Sequence, residues 1–197
     1  MPDTITIGRL LRSSTTGFVF GCSVPEPEVP LFGAFVKVPA QKGQTEVMGL
    51  IYNIAVEDDL FVRQMVAAPD LDEAYIQDQR ANRQVPIEVS VLAVGYRSSA
   101  GLSYALPPQP PITLDRIHPC SRAEVLEFTA RFDYLRLVLD SPEAPADELI
   151  AASLRLAAAA RPPEDRAFFL REAGKELARL LSRDLARLEN LLRRIKP

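Results

Sequence analysis

The sequence predicts an α+β fold: a small antiparallel β-barrel over residues 1–119, then a C-terminal helical segment of about three helices over 120–197. Three observations carry this. Residues 85–96 alternate apolar and polar side chains and then turn apolar on both sides, as a strand does where it is covered twice. The chain before them is made of short apolar runs with period two, joined by Gly-, Pro- and Ser-rich links. From Ser121 onward the apolar period changes from two to 3.6.

Taken in order, residues 5–12 form the first strand, and Ser13 to Gly17 are a turn cluster. Residues 18–22 form a short apolar second strand. Residues 24–30 hold three prolines in seven positions and can join neither helix nor ladder. Residues 34–38 form a third strand, with Phe35 and Lys37 on one face and Val36 and Val38 on the other. A long fourth strand covers 46–56, and Gly49 marks a bend in it. The stretch 57–84 is too long for a hairpin loop. Asp59 can cap one short helix there, and Asp70 with Glu73 can cap another, so a helical insertion is expected at one end of the barrel. The central strand then starts near Pro86, which cannot donate to a ladder, and Gly95 marks a bulge or corner. Residues 102–106 make the last expected strand. The proline-rich 107–111 carry the chain off the barrel as a stiff strap.

Ser121 and Glu124 have the spacing of a capping box. Behind them Val125, Phe128, Phe132, Leu135 and Leu139 make one apolar stripe, which predicts a single helix ended by residues 140–145. A second helix starts near Ala146 with acids in its first turn and ends in the alanine run 157–160. Pro162 and Pro163 open a third, predicted to run to Ile195. Along it Ala178, Leu181, Leu185, Leu188, Leu192 and Ile195 form a short coiled-coil-like seam.

Little in this chain has the pattern of chemistry. Its net charge of −3 is not that of a general nucleic-acid binder. Two cysteines, Cys22 and Cys120, form neither a disulfide framework nor a zinc motif. The acids at 58, 59, 70, 72 and 73 lack EF-hand spacing and suit helix N-termini, so no metal is expected. His118 is the one histidine, and its neighbour Cys120 is too close in sequence for a nucleophile and its base, which meet across a fold. No serine stands in G-x-S-x-G. No cofactor, catalytic residue or membrane span is expected. The start of the chain lacks the basic and apolar regions of a signal peptide, so a cytoplasmic protein is expected.

Ile7-Gly8-Arg9-Leu10-Leu11, residues 33–38, Val47-Met48-Gly49-Leu50-Ile51, Val91-Leu92-Ala93-Val94-Gly95 and Leu106-Pro107-Pro108-Gln109-Pro110-Pro111 follow one another as short motifs. In this layout the chain resembles the HAS barrel, the N-terminal β-barrel of HerA-type motor ATPases and F1-type ATP synthase subunits. The resemblance implies a small β-barrel used for ring assembly and partner docking. It does not extend to ATP hydrolysis, because no G-x-x-x-x-G-K-S/T is present to cradle a phosphate.

The expected function is therefore non-catalytic assembly or adaptation, with a protein partner such as a HerA-like ATPase, or self-assembly through the barrel. The candidate docking residues lie on the last helix: Leu181, Leu185, Leu188, Leu192 and Ile195 along the seam, with Arg183, Arg187, Arg193 and Arg194 beside it. The alternatives are a nucleic-acid-binding barrel, which the acids grouped at 57–78 disfavour, and an enzyme of unrecognised type.

Overall fold

The computed structural model of the chain describes residues 5–22, 30–56 and 87–196. Most of the proline-rich connection, the helices expected within 57–84 with their acids, and Val85 and Pro86 lie outside the described residues.

Seven strands form one antiparallel sheet: β1 (Gly8–Ser13), β2 (Gly17–Cys22), β3 (Phe35–Ala40), β4 (Thr45–Val56), β5 (Ile87–Ser98), β6 (Gly101–Ser103) and β7 (Arg116–Pro119). Their order is β2-β1-β7-β3-β4-β5-β6, and a further ladder between β2 and β5 brings the ends together. Six strands thus close into a barrel, and β6 hangs from β5 as a hairpin arm outside the ring. Closure leaves the ring without an unpaired edge.

The expected alternation is what builds the barrel. Val36 and Val38 of β3 point inward with Leu10, Phe18, Phe20, Val47, Ile51, Val89, Val91 and Ile117, and these side chains fill the interior. Phe35 and Lys37 point outward, Phe35 into a second core and Lys37 to acids on the barrel wall and the first helix. β5 is the central strand: it pairs with β4 along its length, with β2 through residues 87–92 and with β6 through 96–98. Its double cover is real, since Val91 and Ala93 face the interior while Leu92 and Val94 face the helices.

Two irregularities in the β4–β5 ladder tune these faces. Between Ile51 and Asn53 the register slips by one, so Ile54, and not the polar Asn53, packs on the interior cluster. Between Met48 and Gly49 a second slip lies opposite Val94, beside the Gly95 expected to mark it. Gly49 itself faces inward, where a Cβ would come within 2.3 Å of Val91 Cγ1. Only glycine lets the two long strands approach this closely.

β7 corrects the expectation that residues 102–106 hold the last strand and that the chain has then left the barrel. It returns between β1 and β3, matching Gly8 to Ile117 and Lys37 to His118. Of its four residues only Ile117 is fully buried.

Among the described residues the C-terminal segment holds five helices where about three were expected: α1 (Arg122–Phe128), α2 (Tyr134–Leu139), α3 (Ala146–Ala159), α4 (Pro163–Leu180) and α5 (Leu185–Ile195). Two of the expected helices are broken, each for a packing reason. The predicted capping box opens α1, with Ser121 and Glu124 bonding each other's backbone. Phe128 at its end packs on Phe35 and Tyr104 of the barrel side, whereas Phe132 packs on Phe169 of α4. One straight helix would present both rings to the same neighbour, so the chain bends at Thr129, whose hydroxyl bonds back to Val125 O at 2.6 Å. The second break, at 181–184, lets the chain reverse so that α5 packs beside α4 and on α3. Asp184 caps the new start through Arg187 N at 3.0 Å.

The helices bury the outer wall of β3, β4 and β5. Phe35, Met48, Leu50, Leu92 and Val94 join Phe128, Tyr134, Leu149, Ile150, Leu154 and Leu177 in one core. Gly33, at φ +83°, lets the chain entering β3 lie against α3, with Ala152 Cβ 2.6 Å from where a Cβ would stand. The end of α3 has no glycine cap. Its last carbonyls accept from arginines instead: Arg161 to Ala157 O at 2.7 Å, Arg166 to Ala159 O at 3.3 Å and Arg122 to Ala160 O at 2.6 Å. Cations there also oppose the helix dipole.

Candidate functional site

The structure places the two groups that the sequence singled out for chemistry on or beside β7. His118 stands on β7 with Nδ1 3.1 Å from the Ile5 carbonyl oxygen. Cys120 follows β7, donating its backbone N–H to Phe35 O at 2.9 Å. Burial pushes the Cys120 thiol far up, and the Glu124 charge adds to this, so the thiol stays protonated at neutral pH. Among the described residues no cluster of three or more His, Cys, Asp or Glu is arranged to hold a metal ion. No helix there is long and apolar enough to cross a membrane.

The strongest electrostatic feature ties α1 to the barrel wall. Lys37 of β3 bonds Glu124 and lies 3.3 Å from Glu46 of β4. Arg97 of β5 makes a paired bond to Glu127, at 2.8 and 3.1 Å, and lies 3.9 Å from Glu46. Burial alone would raise the Glu124 carboxyl, but its bonds from Lys37 and Ser121 outweigh that and hold it below the usual range. Burial likewise works against the Lys37 charge and is outweighed by Glu124 and Glu46, so the ammonium titrates above its ordinary value. This network clamps α1 to the barrel wall.

The residues expected to dock a partner are not brought together as one exposed seam. Leu181 is buried at the end of α4, and Ile195 is buried with Leu191 under α5. Leu188 and Leu192 are half-buried against the helical core, and Leu185 is exposed just after the break. Arg187 is spent on Asp147 of α3, with Nε 2.8 Å from Oδ1. Arg194 pairs with Glu148, and Arg193 bonds Asn190. Arg183 is exposed in the linking turn. The stripe spaced three and four apart faces the chain's own helices, the last helix packing on α3 and α4, an arrangement that the spacing allows as readily as a dimer zipper.

A groove of about 390 Å³ lies between α2, α4 and α5, lined by Arg136, Leu139, Asp140, Arg179, Leu180, Leu181 and Arg187. Its guanidiniums are already neutralised, Arg136 by Asp140 at 3.7 Å, Arg179 by Glu176 at 2.9 Å and Arg187 by Asp147.

The more distinctive surface is the barrel wall across the ring from the helices, formed by β1 and β7. Leu11 is the extra residue of a β-bulge between Leu10 and Arg12 and is 43% exposed. Beside it the turn at 112–115 holds Ile112 and Leu114 outward, 60% and 65% exposed. Leu114 has φ +73°, a left-handed conformation that costs a bulky residue about 1–2 kcal/mol. The turn is pinned there by Leu114 N to Leu10 O at 2.9 Å, Arg9 Nη1 to Leu114 O at 3.1 Å and Ile112 N to Asp115 Oδ2 at 3.2 Å. Arg9 and Arg116 stand opposite each other in the β1–β7 ladder next to these side chains, whereas Arg12 lies 3.2 Å from Glu88 of β5. Sequence reasoning missed the surface. The signal present was Ile112 and Leu114, two large apolar residues just after a proline-rich strap, but nothing local said that they face water.

Compared with known proteins, the chain matches no family model, and a search of the curated proteins finds no relative.

Proposed function

We propose that this chain is a non-catalytic assembly or adaptor protein that docks onto another protein through its barrel, with the barrel of a HerA-like motor ATPase or another copy of itself as the candidate partner. The observation that carries the reading is the β1–β7 wall. There a closed, internally filled barrel holds Leu11, Ile112 and Leu114 in water, one of them in a strained conformation, beside Arg9 and Arg116. Exposed apolar patches with polar rims are typical of protein contacts. The resemblance to the HAS barrel supports the same reading, since its motifs fall on β1, β3, β4 and β5. Gly33 and Gly49 of those motifs stand where a side chain would collide.

The reading is tested by mixing the purified chain with a HerA-like ATPase and following mass by sedimentation, with ATP and phosphoester hydrolysis assayed alongside. A stoichiometric complex, with no turnover by the chain alone, is the expected result. Turnover by the chain alone, or a chain that binds neither the ATPase nor itself, contradicts it.

A further inference from the structure

The β1–β7 ladder sets two arginines directly opposite each other, Arg9 on β1 and Arg116 on β7, and both are exposed. Side chains paired in this way start about 5 Å apart, where like charges work against the sheet. Among the described residues neither guanidinium has a carboxylate partner. Asp115, next to Arg116 in the chain, accepts from Ile112 N at 3.2 Å. Glu88, across Gly21 from Arg9, is paired with Arg12 at 3.2 Å. Arg9 is also held in place, because its Nη1 bonds Leu114 O at 3.1 Å. Gly21 has no side chain, and Leu11 leans over it, with Cδ1 3.8 Å from where a Cβ would stand. A fixed pair of unneutralised cations thus stands among the exposed Leu11, Ile112 and Leu114. The ring is closed here, so a partner must be held by side chains and not by adding a strand.

We infer that this wall takes a protein segment carrying Asp or Glu carboxylates between large apolar side chains, with the carboxylates bonded by Arg9 and Arg116 and the apolar groups seated on Leu11, Ile112 and Leu114. The inference rests on the docking reading above and names the chemistry that its partner presents. A guanidinium fork matches a carboxylate with two parallel bonds, and a carboxylate between the two arginines turns their repulsion into attraction. A nucleic-acid strand suits the wall less. Such strands are held by a groove of cations with aromatic platforms for the bases, whereas here two cations stand among aliphatic side chains with Asp115 and Glu88 close by. The partner's charge governs the rate and the salt dependence of the contact, and its apolar side chains hold it once formed.

The experiment separates binding from folding with Arg116→Glu. An acid opposite Arg9 replaces a repelling pair by an attracting one, so this variant should unfold at an equal or higher urea concentration than wild type. Leu114→Asn is the second variant; it keeps a residue that tolerates the left-handed conformation and removes the apolar contact. The probe is a random peptide library displayed on phage and panned on the full chain. Selected peptides should combine Asp or Glu with Leu, Ile or Phe and bind more weakly as salt rises. Each variant should bind them about tenfold or more weakly than wild type, as for loss of an anchor residue. Peptides without acids that lose affinity only with Leu114→Asn overturn the inference and leave the docking reading standing. Peptides that bind both variants like wild type overturn both. A library that yields no binder overturns the inference, and so does oligothymidylate that binds these residues more tightly than any peptide. An Arg116→Glu chain with a lower urea midpoint gives Arg116 a structural role and overturns it too.

Discussion

Arg161 shows how much of this fold can depend on one side chain. Its guanidinium bonds Ala157 O, Thr129 O and Thr129 Oγ1 at 2.7–3.1 Å and lies 3.5 Å over the Phe169 ring. It therefore joins the end of α1, the end of α3 and the start of α4. Burial lowers its affinity for a proton, yet guanidinium remains charged at any physiological pH. Arg161→Ala should cost about 2–3 kcal/mol, read as a lower urea midpoint at unchanged slope, because it orphans buried carbonyls. Arg161→Lys should recover less than half of this, since an ammonium reproduces neither the fork nor the stacking. At Gly49 the constraint is space. Gly49→Ala should destabilise by about 1–3 kcal/mol, the usual cost of overpacking, because Val91 and the Leu92 carbonyl cannot both move aside.

At the scale of elements, the docking of α1 on the barrel depends on ionisation. Glu124 titrates below the ordinary glutamate value in the folded state, so its contribution is present above that value and lost as pH falls through the folded one. Lys37 titrates above the ordinary lysine value, so its contribution is present below that value and lost as pH rises through the folded one. Urea midpoints measured across pH should form a plateau with an acid limb and an alkaline limb. Glu124→Gln should flatten the acid limb. A double-mutant cycle of Lys37→Met with Glu124→Gln should give a coupling of about 1–2 kcal/mol, as expected for a largely buried charged hydrogen bond. The elements also show what was readable beforehand. The alternation in β3, β4 and β5 and the Ser121–Glu124 box name a physical cause within a few residues, so they could be read directly. β7 could not, because Arg116, His118 and Pro119 surround a single inward residue, Ile117. The helix breaks at 129–133 and 181–184 were hidden because the apolar spacing runs on across both; what breaks the helices is the direction of neighbours far along the chain. The candidate site was hidden for a similar reason. Exposure of Leu11 and Leu114 is decided by which barrel wall the helices cover, and no local pattern records that.

For the whole molecule, the barrel's outer wall and the helices share one apolar core. A truncation at Cys120 would expose Phe35, Met48, Leu50, Leu92 and Val94 together, and it should aggregate or bind hydrophobic dyes where the full chain does not. The full chain should unfold in one transition by both barrel and helix probes, since neither part can lose its partner without exposing that core. The opposite wall is the proposed docking surface, and hydrogen exchange tests this most directly. Exchange is compared between the dilute chain and the chain in its assembled or ATPase-bound form. Added protection in β1 and residues 112–116 is the predicted result. Unchanged exchange there, with protection along α5 instead, would return the docking role to the last helix and contradict the account.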